Sequence, residues 1–252
     1  MYQQGTGGAT PGVSRRDFVR LAAGSALGAG SVLAPAIAYA DEPASSKPAD
    51  PDPLYPHAVP LTVTEDELRR RKRVLVVVDY QVDFVDGGVF GTVEPALAIE
   101  DDLYALIKDY QDAGDIVVYT QDTHPADTYD ATREATINPP HCIPGTEGWE
   151  IYGRCRELLT PDRAIAVRKG TYGSKELPSI LEALRSQGTA FESIEVAGVS
   201  TTCRVLHNAI LLYTFFPEVP VIMDVRTTAS YTDDRTMEQL RVMEGWGFIV
   251  KW

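Results

Sequence analysis

Four short stretches of this chain hold residue types that do chemistry, and all of them follow apolar runs. One reads Asp122-Thr123-His124. Alternate side chains of an extended segment share a side, so Asp-x-His turns two metal-ligating groups the same way. His141 follows in Pro139-Pro140-His141, where two prolines stiffen the approach. One aspartate and two histidines suit Zn, Fe or Mn. Asp79 closes the run Arg73 to Asp79, with Phe84 as an apolar wall nearby. Lys169 closes another and can hold positive charge near a developing anion. Cys203 lies in Gly198-Val199-Ser200-Thr201-Thr202-Cys203-Arg204, a tight turn into a helix. Free N–H groups and the helix dipole lower a thiol's pKa there and hold an oxyanion. Each feature has a plainer reading: a turn aspartate, a solvated lysine, an inert packed cysteine. Their succession at strand ends is what links them.

The elements that position them alternate. Arg73–Asp79 is a continuous β-branched run, the mark of a strand buried on both faces. The residues of 96–112 carry Leu97, Leu103, Leu106, Ile107 and Tyr110 on one helical side, ended by Gly114. Further strands are expected at 116–120, 164–167, 193–197, 219–224 and 247–251. Helices are expected at 177–187, 205–215 and 237–244. Strands separated by helices imply right-handed crossovers and a mostly parallel, doubly wound sheet of about six strands in a three-layer α/β/α domain. Ligands of such sheets bind beyond the carboxyl ends of the strands, where Asp79, Asp122, Lys169 and Cys203 all fall.

The 252 residues divide unevenly. Residues 1–40 hold Arg15-Arg16-Asp17-Phe18, a Gly- and Ala-rich apolar run and Ala38-Tyr39-Ala40, the pattern of a cleaved twin-arginine export signal. Gly24, Gly28, Gly30 and Pro35 make that run a poor membrane span. The expected location is periplasmic or extracellular, at or beyond the cell surface, with no stable membrane span after cleavage. Residues 41–70 are a Pro-rich tether with a short basic helix, Leu68–Lys72, opened by a capping box at Thr64–Glu67. Residues 71–252 form the folded domain, large enough for a single core. The formal net charge of -13 argues against nucleic acid or an anionic membrane as partner. Cys142, Cys155 and Cys203 do not form a disulfide framework.

These segments, in this order, resemble the isochorismatase-like cysteine hydrolases, and among them the nicotinamidases, over about Arg73 to Ser230. Asp79-Tyr80-Gln81-Val82-Asp83-Phe84 is similar to the family's opening motif, whose first Asp is the general base. Asp122 and His124 match metal ligands, as does His141 in Pro139-Pro140-His141 followed by Gly145-Thr146. Glu134 matches a carboxylate ligand of one nicotinamidase branch. Lys169, with Tyr172 three residues on, resembles the catalytic lysine segment. The resemblance implies the isochorismatase-like, Rossmann-like fold and a divalent metal at Asp122, His124, Glu134 and His141. It also implies a small amide as substrate, no nucleotide cofactor, and homo-oligomers, in which relatives often assemble. Phe84 and Tyr172 would line the ring pocket, and the turn at Thr202 and Cys203 would hold the oxyanion.

One departure opens two readings. The family spaces Gly-x-x-Thr-x-x-Cys, which a gapless match places on Arg204, with Cys203 one residue early. A one-residue step at a helix start turns a side chain by about 100°. In the first reading the turn brings Cys203 into place, and the chain is a metal-containing cysteine amidohydrolase that converts nicotinamide or a related amide to acid and ammonia through a thioester. In the second, Arg204 holds the nucleophile position of a catalytically impaired protein that binds a small carboxylate or heteroaromatic ligand.

Overall fold

The computed structural model describes residues 71–252. The expected export signal (1–40) and the tether (41–70) lie outside the described residues. Lys72, expected to end the basic helix, instead opens the first strand. Its N–H pairs with the Ala190 carbonyl at 2.9 Å, so the sheet captures it.

Six strands form one parallel sheet in the order β3-β2-β1-β4-β5-β6. They are β1 (Lys72–Val78), β2 (Ile116–Asp122), β3 (Ile165–Lys169), β4 (Phe191–Val199), β5 (Val221–Ala229) and β6 (Ile249–Lys251). The chain runs outward from β1 to β3, then returns to the other side of β1 for β4. The order therefore reverses between β1 and β4, and the crevice of a doubly wound sheet opens there.

Alternation in β1 assigns the layers. Leu75 and Val77 face one core with α3 (Glu100–Asp112), whose Leu103, Ile107 and Tyr110 are buried. Val74, Val76 and Val78 face the other, under α4 (Glu176–Ser186), α5 (Leu206–Phe215) and α6 (Asp233–Gly245). Leu177, Leu181, Leu212, Leu240 and Met243 supply that second core. Two short helices, α1 (Val82–Val85) and α2 (Glu94–Ala98), follow β1.

The boundaries differ from expectation where local chemistry intervenes. The single helix expected over 96–112 is two, α2 and α3. Ile99 breaks them with ψ near -2°, and Glu100, Asp101 and Asp102 begin α3 afresh, where carboxylates favour a helix N-terminus. α6 begins four residues earlier than expected because Thr232 caps it, accepting from the Arg235 N–H. β5 runs on to Ala229 through an excursion. Val196 pairs with Met223 but Gly198 already pairs with Thr228, so several β5 residues bulge out against two steps of β4. No described helix is long and apolar enough to cross a membrane.

Candidate active site

The ends of β1, β2 and β3 deliver three charged side chains to one buried point. Asp79 follows β1 in a left-handed conformation, φ 48°, which turns its carboxylate over the crevice. Thr120 on β2 fixes it: its hydroxyl donates to Asp79 Oδ1 at 2.6 Å. Lys169 ends β3 with Nζ 2.5 Å from Asp79 Oδ2 and 3.3 Å from Asp122 Oδ1. All three groups are buried. Burial pushes the Asp79 carboxyl above the usual range, against the opposing pull of Lys169. Asp122 ends far below it: burial acts upward there too, but Lys169, both histidines and Arg204 outweigh it.

The long connection from β2 to β3 brings the remaining donors. Asp122, His124, Glu134 and His141 each present one atom, all within 4.8 Å of one another. His124 Nε2 is 3.2 Å from Asp122 Oδ1, and His141 Nε2 is 3.4 Å from Glu134 Oε2. Donors about 2.1 Å from a common ion stand about 3.4 Å apart in a tetrahedron, so this spacing fits a divalent metal. His141 Nδ1 meets the Pro139 carbonyl at 2.8 Å, which turns Nε2 toward the centre.

The turn after β4 decides what else enters. Residues Thr201–Val205 form one π-helical turn before α5. From it Arg204, not Cys203, points into the crevice. Its Nε donates to Asp122 Oδ2 at 2.8 Å and lies 3.7 Å from Asp79 Oδ2. One terminal nitrogen lies 3.3 Å from Glu134 Oε2 and 3.1 Å from His141 Nε2. The guanidinium lies over the Phe84 ring, 4.0 Å from its centroid, and 5.1 Å from that of Tyr172. Burial alone would lower the Arg204 pKa, but Asp122 and Asp79 raise it. Asp122 and Glu134 likewise lift His141 to about 9 against its burial. Arg204 has only protons to offer Nε2, however, so this contact needs the neutral tautomer with its proton on Nδ1.

Cys203 is half-buried beside Tyr172, one position from the centre. Burial raises its thiol, while the positive charge of Arg204 opposes the rise. The N–H groups expected to hold an oxyanion are already engaged. That of Thr202 donates to the Ser230 hydroxyl at 3.0 Å, and that of Cys203 to the Ser200 carbonyl at 3.0 Å. The cavity beside Phe84, Ser200, Arg204 and Ser230 is only about 10 Å³. A wider cavity of about 640 Å³ opens outside it, lined by Glu134, Tyr172 and His207 among others.

Several supporting residues were not anticipated. Gln81 clamps β1 to β2, accepting from the Asp122 N–H at 2.7 Å and donating to the Asp122 carbonyl at 3.0 Å. Asp83 holds the loop after His141 by accepting from the Cys142 N–H at 2.6 Å. Asn208 ties the Ser174 N–H, the Tyr172 carbonyl and the Arg204 carbonyl together. Gln81 and Asp83 did stand inside the opening motif; Asn208 carried no signal beyond an amide in an apolar helix.

Residues 73–250 match the isochorismatase domain. The nicotinamidase/pyrazinamidase of Mycobacterium tuberculosis is 33% identical over 144 residues, 51% of this chain and 72% of that protein. The crystal structure of nicotinamidase/pyrazinamidase PncA from Bacillus subtilis superposes with a TM-score of 0.64 at 29% identity, covering 72% of this chain and all of that one. The pyrazinamidase of Pyrococcus horikoshii, solved in complex with zinc, shares the fold with a TM-score of 0.60 at 23% identity, over 72% of this chain and 99% of its own. With the sheet order, the buried acid–lysine pair and the four-donor group already in place, the matched domain settles the family: this chain belongs to the isochorismatase family.

Proposed function

We propose that this protein is a metal-containing cysteine amidohydrolase that splits nicotinamide, or a similarly small heteroaromatic carboxamide, into its acid and ammonia. The observation that carries the reading is the buried Asp79–Lys169 pair, 2.5 Å apart, with Lys169 also 3.3 Å from the metal-donor residue Asp122. Zinc in a related fold, and nicotinamidase names among the relatives, support the substrate class.

Asp122, His124, Glu134 and His141 would hold the metal, which supplies a Lewis-acidic anchor for a ring nitrogen. Asp79, its carboxyl raised by burial, accepts the Cys203 thiol proton as the sulfur adds to the carboxamide carbon. Asp79 then returns that proton to the departing nitrogen, which leaves as ammonia, and a thioester remains. Water adds to the thioester and releases the acid and the free thiol. Lys169 holds positive charge beside Asp79 throughout, and Phe84 offers a ring face. The chemistry requires Arg204 to leave the crevice and the turn to advance Cys203 by one place. The twin-arginine pattern adds that this happens outside the cytoplasm.

A second reading draws on the Arg204 contacts. A guanidinium in the nucleophile's place suits a small carboxylate ligand and no turnover. Ammonia release from nicotinamide by the zinc-loaded full chain separates the two. Activity in the natural protein, abolished in Cys203→Ala, supports the amidohydrolase. An inactive natural protein beside an active Arg204→Cys variant refutes it in favour of the binding protein.

A further inference from the structure

The donor group fits a metal, yet a cation already sits on it. We propose that the Arg204 guanidinium and a divalent metal are alternative occupants of the Asp122, His124, Glu134 and His141 donor group, so that metal binding must expel Arg204. The proposal rests on the reading of those four residues as a metal site.

The argument begins with lone pairs. His141 Nδ1 is engaged with the Pro139 carbonyl at 2.8 Å, so Nε2 has a single lone pair to offer. Arg204 lies 3.1 Å from Nε2 and donates to it in the neutral tautomer whose proton sits on Nδ1. A nitrogen with one lone pair either accepts that N–H or ligates a metal, never both. The same guanidinium lies 2.8 Å from Asp122 Oδ2 and 3.3 Å from Glu134 Oε2. Guanidinium nitrogens are donors only, so Arg204 cannot remain as a ligand. Three of the four donor residues thus contact Arg204, while His124 Nε2 lies 3.2 Å from Asp122 Oδ1.

Charge balance explains why both occupants are stable. Asp79, Asp122 and Glu134 are all buried, and besides Arg204 the cation Lys169 touches the first two. Arg204 offsets one unit of that negative charge in the metal-free protein. A divalent ion satisfies more of it, which lets it displace an internal competitor. Room for the exchange exists: the wider cavity past Tyr172 and His207 adjoins Glu134, and Tyr172 already lies under one side of the guanidinium. Arg204 therefore acts as a built-in cation that offsets part of the donor group's charge in the metal-free protein and lies over the Phe84 ring.

The test is a metal-buffered zinc titration of the full chain, natural and Arg204→Met. Methionine keeps an unbranched apolar stem and removes the competing donors. The variant should bind zinc about ten- to a hundredfold tighter, the worth of charged hydrogen bonds no longer broken. In the natural protein the Arg204 Nε–H resonance, identified by its loss in Arg204→Lys, provides a readout that needs no folded Met variant. It should be protected from solvent exchange in chelator and lose that protection with one equivalent of zinc. Equal zinc affinities, or a protected Arg204 resonance with zinc bound, overturn the proposal while leaving the metal site intact. If neither protein binds zinc, the proposal and the metal reading fall together. Failure of the amidohydrolase reading shows separately, as zinc bound normally without ammonia release.

Discussion

At the scale of the residue, Lys169 touches both carboxylates that matter most, Asp79 and Asp122. Removing one member of a buried, charged cluster leaves its partners uncompensated. Lys169→Met should therefore destabilise the metal-free protein by about 3–5 kcal/mol, read from the denaturant midpoint in chelator. A loss under about 1 kcal/mol would mean that Asp79 is already neutral in the folded state. The strand-end residues Asp79, Asp122, Lys169 and their neighbour His124 were legible in the sequence because each follows a β-branched run, and a parallel sheet sends all such ends to one side. Arg204 was legible as the residue on the nucleophile position, but its contacts with the metal-donor residues were not. Which of two adjacent side chains points inward depends on the pitch of one helical turn, and residue type does not report that. The Gln81, Thr120 and Asn208 bonds were hidden for a different reason: they join residues far apart in sequence, and amides and hydroxyls look alike on paper whether buried or exposed.

At the scale of the element, the turn Thr201–Val205 is held from three sides. Thr228 on β5 meets the Thr201 hydroxyl at 2.9 Å, Ser230 receives the Thr202 N–H, and Asn208 on α5 donates to the Arg204 carbonyl at 2.8 Å. Asn208→Ala would strand the Ser174 N–H and the Tyr172 and Arg204 carbonyls, at a cost of about 2–3 kcal/mol in thermal or denaturant unfolding. Its effect should also reach zinc binding, because the Arg204 carbonyl anchors the guanidinium's own backbone. Gly198 is the other fixed point. It adopts φ 102°, and a side chain there would run into the Val78 carbonyl of β1. Gly198→Ala should thus push β1 from β4 and lose zinc affinity and stability together. The strands were legible as elements, and the split of the expected 96–112 helix was not. Ile99 is an ordinary helix residue by type; only the run Glu100-Asp101-Asp102 hinted at a fresh start.

Across the described domain, two cores flank one sheet and a buried polar bridge crosses from sheet to helix. Tyr110 of α3 donates to Glu195 of β4 at 2.8 Å, and Lys251 of β6 reaches the same carboxylate at 3.0 Å. Tyr110→Phe should cost about 1–2 kcal/mol with no change in zinc affinity, since the bridge is remote from the donor group. The doubly wound, mostly parallel sheet of about six strands was legible from alternating periodicity, whereas the strand order and the β5 excursion were not. Its consequence concerns cooperativity. β6 pairs with Ile222, Met223 and Asp224, all before the excursion, while the turn that carries Arg204 leans on Thr228 and Ser230, beyond it. The irregular stretch acts as an expansion joint between the two. The outer edge of the sheet can open and close in native-state hydrogen exchange while amides around Ser230 stay shut. The chain thereby confines its least stable border to a separate unit, and the crevice keeps its shape when that border melts.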